Sequence, residues 1–101
     1  MEPVKVSLEN GRSSLIPGAG VQVVQMQPNT SVDWHVGPRR QIIATIAGEG
    51  EIETGDGQVL TVKPGVLTLI EDLTGKGHLT RNSPQGRLCV FLPLADDAVV
   101  R

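Results

Sequence analysis

The chain has 101 residues, of which 39% are hydrophobic and 20% charged, and its net charge is −2. That length predicts one domain over residues 1–101, and the composition is too apolar for a disordered chain. Trp34 and Phe91 are the only aromatic residues and no basic run interleaves with them, so no nucleic-acid partner is expected.

The chain carries one cysteine, Cys89, which excludes an internal disulfide and a multi-cysteine zinc cluster. Cys89 lies in an apolar run and reads as a buried small hydrophobe. Residues Met1–Glu9 lack a basic segment followed by an apolar stretch, and no apolar run reaches the ~20 residues that span a bilayer. A cytoplasmic protein without a membrane partner is expected.

Taken in chain order, Val4–Leu8 alternates apolar and polar residues and Asn10-Gly11 marks a turn. Leu15–Gly20 is irregular and Val21–Gln27 is a strand. Pro28-Asn29 opens a loop that runs to Pro38. Gln41–Ala47 is strongly β-forming, and Gly48 and Gly50 then break or bulge it. Glu51–Thr54, Gly55-Asp56-Gly57 and Gln58–Val62 read as a hairpin. Pro64-Gly65 turns into the strand Val66–Ile70, and Thr74–Gly77 is a glycine-rich bend. His78–Arg81 is a short extended piece, Asn82–Gly86 a loop, and Arg87–Pro93 the last strand. Ala95, Asp96, Asp97 and Ala98 suit a short C-terminal helix. With 12 glycines and 7 prolines spread along the chain, this is the pattern of an all-β sandwich or barrel of eight or nine short strands, for which a double-sheet jelly roll manages the edges.

The two histidines, His35 and His78, stand in Asp33-Trp34-His35-Val36-Gly37-Pro38 and Gly75-Lys76-Gly77-His78. Their surroundings resemble the two motifs of the cupin superfamily. The first motif is His-X-His, three or four residues, Glu, six residues, Gly. Here His35 takes the first position and Gly48 the last, with Gly37 where the second His belongs and Gln41 where the Glu belongs. The second motif ends in Gly-X-X-His-X-X-X-Asn, matched by Gly75, His78 and Asn82. Its opening glycine is Gly65, with two extra residues before Gly75 and Leu73 in place of a proline. The resemblance runs from Trp34 to Asn82 and is to small single-domain bacterial cupins. It implies a jelly-roll barrel, also called a double-stranded β-helix.

It also implies a pocket in which His35, Gln41 and His78 hold one divalent transition metal (Fe, Mn, Ni or Zn). Gln is a poorer ligand than a carboxylate, and the alternative is a metal-free polar pocket. Period-two alternation puts Glu71 with Leu67 and Leu69. If those leucines line the barrel, Glu71 points inward, as the missing anionic ligand or a catalytic acid–base group, and Asp72 points out. Arg39 shares the face of Gln41 and is placed at the pocket mouth, where it binds an anionic ligand or pairs with Glu71 or Asp72. Trp34 faces away from the pocket, and Glu49, Glu51 and Glu53 form a solvated face. Two functions follow: a small-molecule-binding cupin with a His/Gln pocket and a metal, or a metal-free binding or sensing module for a small anion. The apolar strands Val21–Val24 and Leu88–Leu92 exceed what one small barrel buries, which predicts a homodimer.

Overall fold

The computed structural model describes residues 2–3, 12–13 and 15–100, and the expected strand Val4–Leu8 with its Asn10-Gly11 turn lies outside them. The described residues form seven strands and no helix: β1 (Glu2–Pro3), β2 (Gln22–Met26), β3 (Ser31–His35), β4 (Gln41–Thr54), β5 (Val59–Val62), β6 (Leu67–Ile70) and β7 (His78–Pro93). Every pairing between them is antiparallel.

Two strands organise the fold. β4 runs 14 residues and β7 runs 16, and they pair along almost their whole length. Their outer halves, Gln41–Ala47 and Arg87–Pro93, are flanked by β6 and β2, with β1 beyond β6. Their other halves, Gly50–Thr54 and His78–Asn82, are flanked by β5 and β3. The molecule is thus a pair of facing sheets joined by two strands that belong to both. Corners of this kind are made by bulges. The β4–β7 register shifts between Thr45 and Ala47 and again between Gly48 and Gly50, and residues 83–86 bow out of the pairing. The corner is too tight for side chains. Gly48 has φ +79° and a Cβ there would lie 2.0 Å from the Gly86 carbonyl oxygen. An L-residue disfavours that φ even where space is available.

Two expected loops are therefore strands. Ser31–His35, within the expected Pro28–Pro38 loop, is β3, which among the described residues pairs only with β7. Asn82–Gly86 is the bulged middle of β7 rather than a break between two strands. In place of a C-terminal helix, Leu94 to Val100 forms a single turn, closed by Ala98 N–H donating to Ala95 O at 2.9 Å. Arg40 pins this segment by donating to the carbonyls of Asp96 (3.1 Å) and Ala98 (2.9 Å). Period-two alternation then separates two apolar clusters. Ile43, Ile70 and Cys89, with Phe91, fill the interior between the sheets. Ile42, Leu94 and Ala98, with Ile16, Leu69 and Leu92, lie on the outer side, under the chain segments that flank the barrel.

Candidate functional site

Between the two sheets lies a cavity of about 260 Å³ whose walls include His35, Gln41, His78, Thr80 and Arg87 among apolar side chains. One sheet contributes Val24, Met26, Ile43, Ile70, Arg87 and Phe91; the other contributes Val32, Ile52 and Thr80. The three motif residues His35, Gln41 and His78 thus line one cavity, although they come from three strands.

His35 and His78 are opposite one another in the β3–β7 register, and their ring centroids are 4.4 Å apart with planes tilted by 59°. The pairing depends on Gly77 just before His78: with φ +75°, it lets the His35 backbone approach so closely that a Cβ would sit 1.8 Å from the His35 carbonyl oxygen. Both rings are fixed through Nδ1. His78 Nδ1 lies 2.5 Å from Oδ2 of Asp72, and His35 Nδ1 lies 2.8 Å from the carbonyl oxygen of Asp33. A carbonyl oxygen and a carboxylate only accept, so Nδ1 carries the hydrogen in each ring. In the neutral rings both Nε2 atoms offer lone pairs.

The acidic pair is placed the other way round from the sequence expectation. On β6 it is Thr68 and Ile70 that are buried, while Leu67 is exposed and Leu69 packs against the outer cluster. The expectation took the leucines as barrel-facing, but the barrel has an apolar outer surface as well as an apolar interior. Continuing the alternation, Asp72 turns in to His78, and Glu71 turns out to an ion pair with Arg40 at 3.0 Å. Glu71 therefore stands outside the cavity as a structural partner. Gly37, at the motif position of a second histidine, lies against the Asp72 segment and donates its N–H to Asp72 O at 2.9 Å. A Cβ at 37 would be 2.7 Å from Cγ2 of Ile70 and 3.3 Å from Oδ1 of Asp72. The absent histidine leaves the space in which Asp72 reaches His78.

Arg39 lies on the face of Gln41, as expected: its Nε donates to Gln41 Oε1 at 3.3 Å and its Nη2 to Gln22 Oε1 at 3.1 Å. Its expected pairing with Glu71 is made by Arg40 instead. Trp34 is absent from the cavity wall, and Lys76 stacks on its ring with Nζ 4.0 Å from the centroid. Glu51 and Glu53 both pair with Arg81, at 3.5 and 3.1 Å.

The residue that the sequence reading passed over is Arg87. It is 1% exposed, and its Nε and Nη1 have no hydrogen-bond partner among the described residues. Its Nη2 meets only the thioether sulfur of Met26, at 3.2 Å, and no carboxylate pairs with it among the described residues. Burial pushes the guanidinium below its ordinary pKa. Its neighbour on the same face, Cys89, is buried and free, and burial pushes that thiol up. The signal was present in the sequence: Cys89 was expected inside, and two residues along a strand share a face.

As donors for a divalent metal the set falls short. Two imidazoles offer Nε2, but Gln41 Oε1 is neutral and already accepts from Arg39. Asp72 is engaged with the far nitrogen of His78, and no group of three or more His, Cys, Asp or Glu residues that could hold a metal occurs among the described residues. The buried cation Arg87 opposes a second positive charge in the same cavity.

No family profile matches the sequence, and no curated relative does. Solved structures do. One from Klebsiella pneumoniae, described as an uncharacterized conserved protein with a double-stranded β-helix domain, is 28% identical over 95% of this chain and 88% of that chain, with a TM-score of 0.61. A Neisseria meningitidis protein is 14% identical, covering 81% of this chain and 84% of that one with a TM-score of 0.60. A conserved Streptococcus pyogenes protein of unknown function is 10% identical over 97% and 98%, with a TM-score of 0.58. Those two likenesses concern the fold alone. The paired sheets and the Klebsiella likeness together show an all-β fold of the cupin-type, double-stranded β-helix kind, with the two motif histidines facing one cavity.

Proposed function

We propose that this protein binds a small organic anion, typically a carboxylate, between its two sheets, with Arg87 as the anchor. The observation that carries this is the buried guanidinium with two unpartnered donors. A buried charge is ordinarily paired, and an unsatisfied buried donor costs about 1–3 kcal/mol, more when charged. A ligand carboxylate in the cavity meets that need, and the surrounding Val24, Met26, Ile52, Ile70 and Phe91 suit its organic part. Arg39, expected from the sequence to meet either an anionic ligand or an acidic side chain, is exposed and held by two glutamine side chains at the rim.

Calorimetric titration with acetate, pyruvate, succinate and inorganic phosphate tests the proposal. At least one carboxylate should bind, its uncharged amide should not, and Arg87→Met should abolish binding. Equal affinity in wild type and Arg87→Met would overturn it. Titration with Zn²⁺ or Mn²⁺ separates the metal-dependent alternative, which requires binding that disappears in His78→Ala.

We further propose that two copies pair through the outer sheet face. Val23 is 69%, Ile46 52% and Leu67 43% exposed there. Val23 opposes Val90, Val90 opposes Ala44, and Ala44 opposes Leu67, so one apolar row crosses four strands.

A further inference from the structure

His78 lines the cavity that holds Arg87 and forms a dyad with Asp72 behind it. Asp72 Oδ2 and His78 Nδ1 are 2.5 Å apart, and His78 is 5% exposed. With Nδ1–H committed to the carboxylate, the lone pair on Nε2 is the ring's remaining polar function, and nothing among the described residues engages it. The ring of His35, fixed in the same tautomer by the Asp33 carbonyl, stands 4.4 Å away. Two imidazole bases therefore share a pocket with a cation that calls for an anion. Ring orientation through Nδ1 by a carboxylate is the arrangement that suits an imidazole to accept a proton at Nε2.

Charge decides which ring works. If His35 took a proton, the imidazolium would share the cavity with Arg87 and have only the Asp33 carbonyl against its Nδ1–H. When His78 takes one, the new charge lies against Asp72. The dyad then carries no net charge, and the cavity gains no uncompensated cation.

We propose that His78, positioned by Asp72, is a general base that removes a proton from the carbon adjacent to the carbonyl of a small oxo acid whose carboxylate pairs with Arg87. This rests on the anion-binding reading above and deepens it to a substrate class and a reaction. An imidazole removes a proton from carbon only where a neighbouring carbonyl takes up the electrons, which is why the substrate is an oxo acid. In the step, the C–H bond breaks, its electron pair becomes the C=C bond of an enolate as the carbonyl π pair moves to oxygen, and the proton goes to His78 Nε2. Return of that proton, or of one exchanged with solvent, to carbon completes the cycle, so no oxidant or co-reactant is needed. The reaction class is isomerisation or exchange through an enolate.

The test uses the full chain in D₂O with pyruvate, 2-oxobutanoate and 2-oxoglutarate as probes. Loss of the C3 proton signal by NMR gives the exchange rate, and calorimetry gives binding. At least one acid should bind and exchange its C3 protons 100-fold or more faster than in buffer. Asp72→Asn keeps a hydrogen-bond acceptor for Nδ1–H and removes the charge; it should bind that acid within about threefold of wild type and exchange it at least tenfold more slowly. His78→Gln should bind and not exchange. An acid that binds through Arg87 and exchanges at the buffer rate overturns the general-base proposal and leaves the anion reading standing. Wild-type exchange in Asp72→Asn also overturns it. Failure of every oxo acid to bind, with acetate or phosphate binding through Arg87, removes the oxo-acid class. Failure of every anion removes the anion reading.

Discussion

Replacing Arg87 by methionine separates a buried charge that serves binding from one that serves the fold. Methionine keeps the unbranched stem among Val24, Ile52 and Phe91 and removes a guanidinium that is 1% exposed. Nε and Nη1 lack partners, and each unsatisfied buried donor costs about 1–3 kcal/mol. The contact with the Met26 sulfur, at 3.2 Å, is a weak acceptor interaction and returns little of this. Replacement of buried ionic groups by apolar ones of similar volume is often stabilising by about 1–4 kcal/mol. Arg87→Met is therefore expected to raise the unfolding free energy by about 2 kcal/mol in the absence of ligand. For a chain of this size that is a rise in Tm of roughly 8–16 °C. Urea unfolding followed by circular dichroism, with a thermal melt, measures both. Saturating carboxylate should then stabilise wild type and leave Arg87→Met unchanged. A fall in stability of 1 kcal/mol or more in Arg87→Met would refute the reasoning, because it would mean that the guanidinium is satisfied within the folded chain.

Gly48→Ala should prevent a folded barrel, since the added Cβ would meet the Gly86 carbonyl at 2.0 Å in a backbone conformation with φ +79°; a soluble variant with a wild-type melt would show that the corner yields. Cys89 supplies a pH dependence. Its folded pKa is raised by burial, so its contribution to stability is complete below the unfolded thiol's value, about 8.5, and is lost as pH rises above it. The stability gap between wild type and Cys89→Ala should shrink above pH 8.5, by up to about 1.4 kcal/mol per pH unit, in urea titrations; a constant gap would contradict this. Light scattering at micromolar concentration should report twice the chain mass for wild type and the single mass for Val23→Glu, and a wild-type monomer at every concentration would remove the outer-face pairing.

The sequence made the strand order legible wherever glycine and proline punctuated alternating runs. β2, the first half of β4, the hairpin at Gly55-Asp56-Gly57, β5 and β6 all appear where the patterning put them. β3 was missed because Ser31-Val32-Asp33-Trp34-His35 is a mostly exposed strand with little apolar alternation. The continuity of β7 was missed because Pro84 and Gly86 signal a break, whereas here they make a bulge that carries the strand from one sheet to the other. In the site, motif spacing sufficed to bring His35, Gln41 and His78 to one cavity. Facing did not follow so readily. Leu67 and Leu69 are as apolar as an interior residue, yet they lie on the outer face, which put Glu71 and Asp72 on the wrong sides. Arg87 escaped notice because a charge at the start of an apolar strand ordinarily marks a solvated end.

The two long strands impose an order on the molecule's birth. β7 pairs with β2, β3 and β4, so none of those three can complete its pairing until β7 has emerged from the ribosome. Translation at about 5–20 residues per second separates the completion of β4 at Thr54 from that of β7 by roughly 2–8 s. Through that interval Ile42, Ile43 and Ile46 travel on a strand whose main partner does not yet exist. The nascent chain's exposure to misassociation is therefore set by the position of β7 in the sequence, and slower synthesis of residues 55–93 lengthens it.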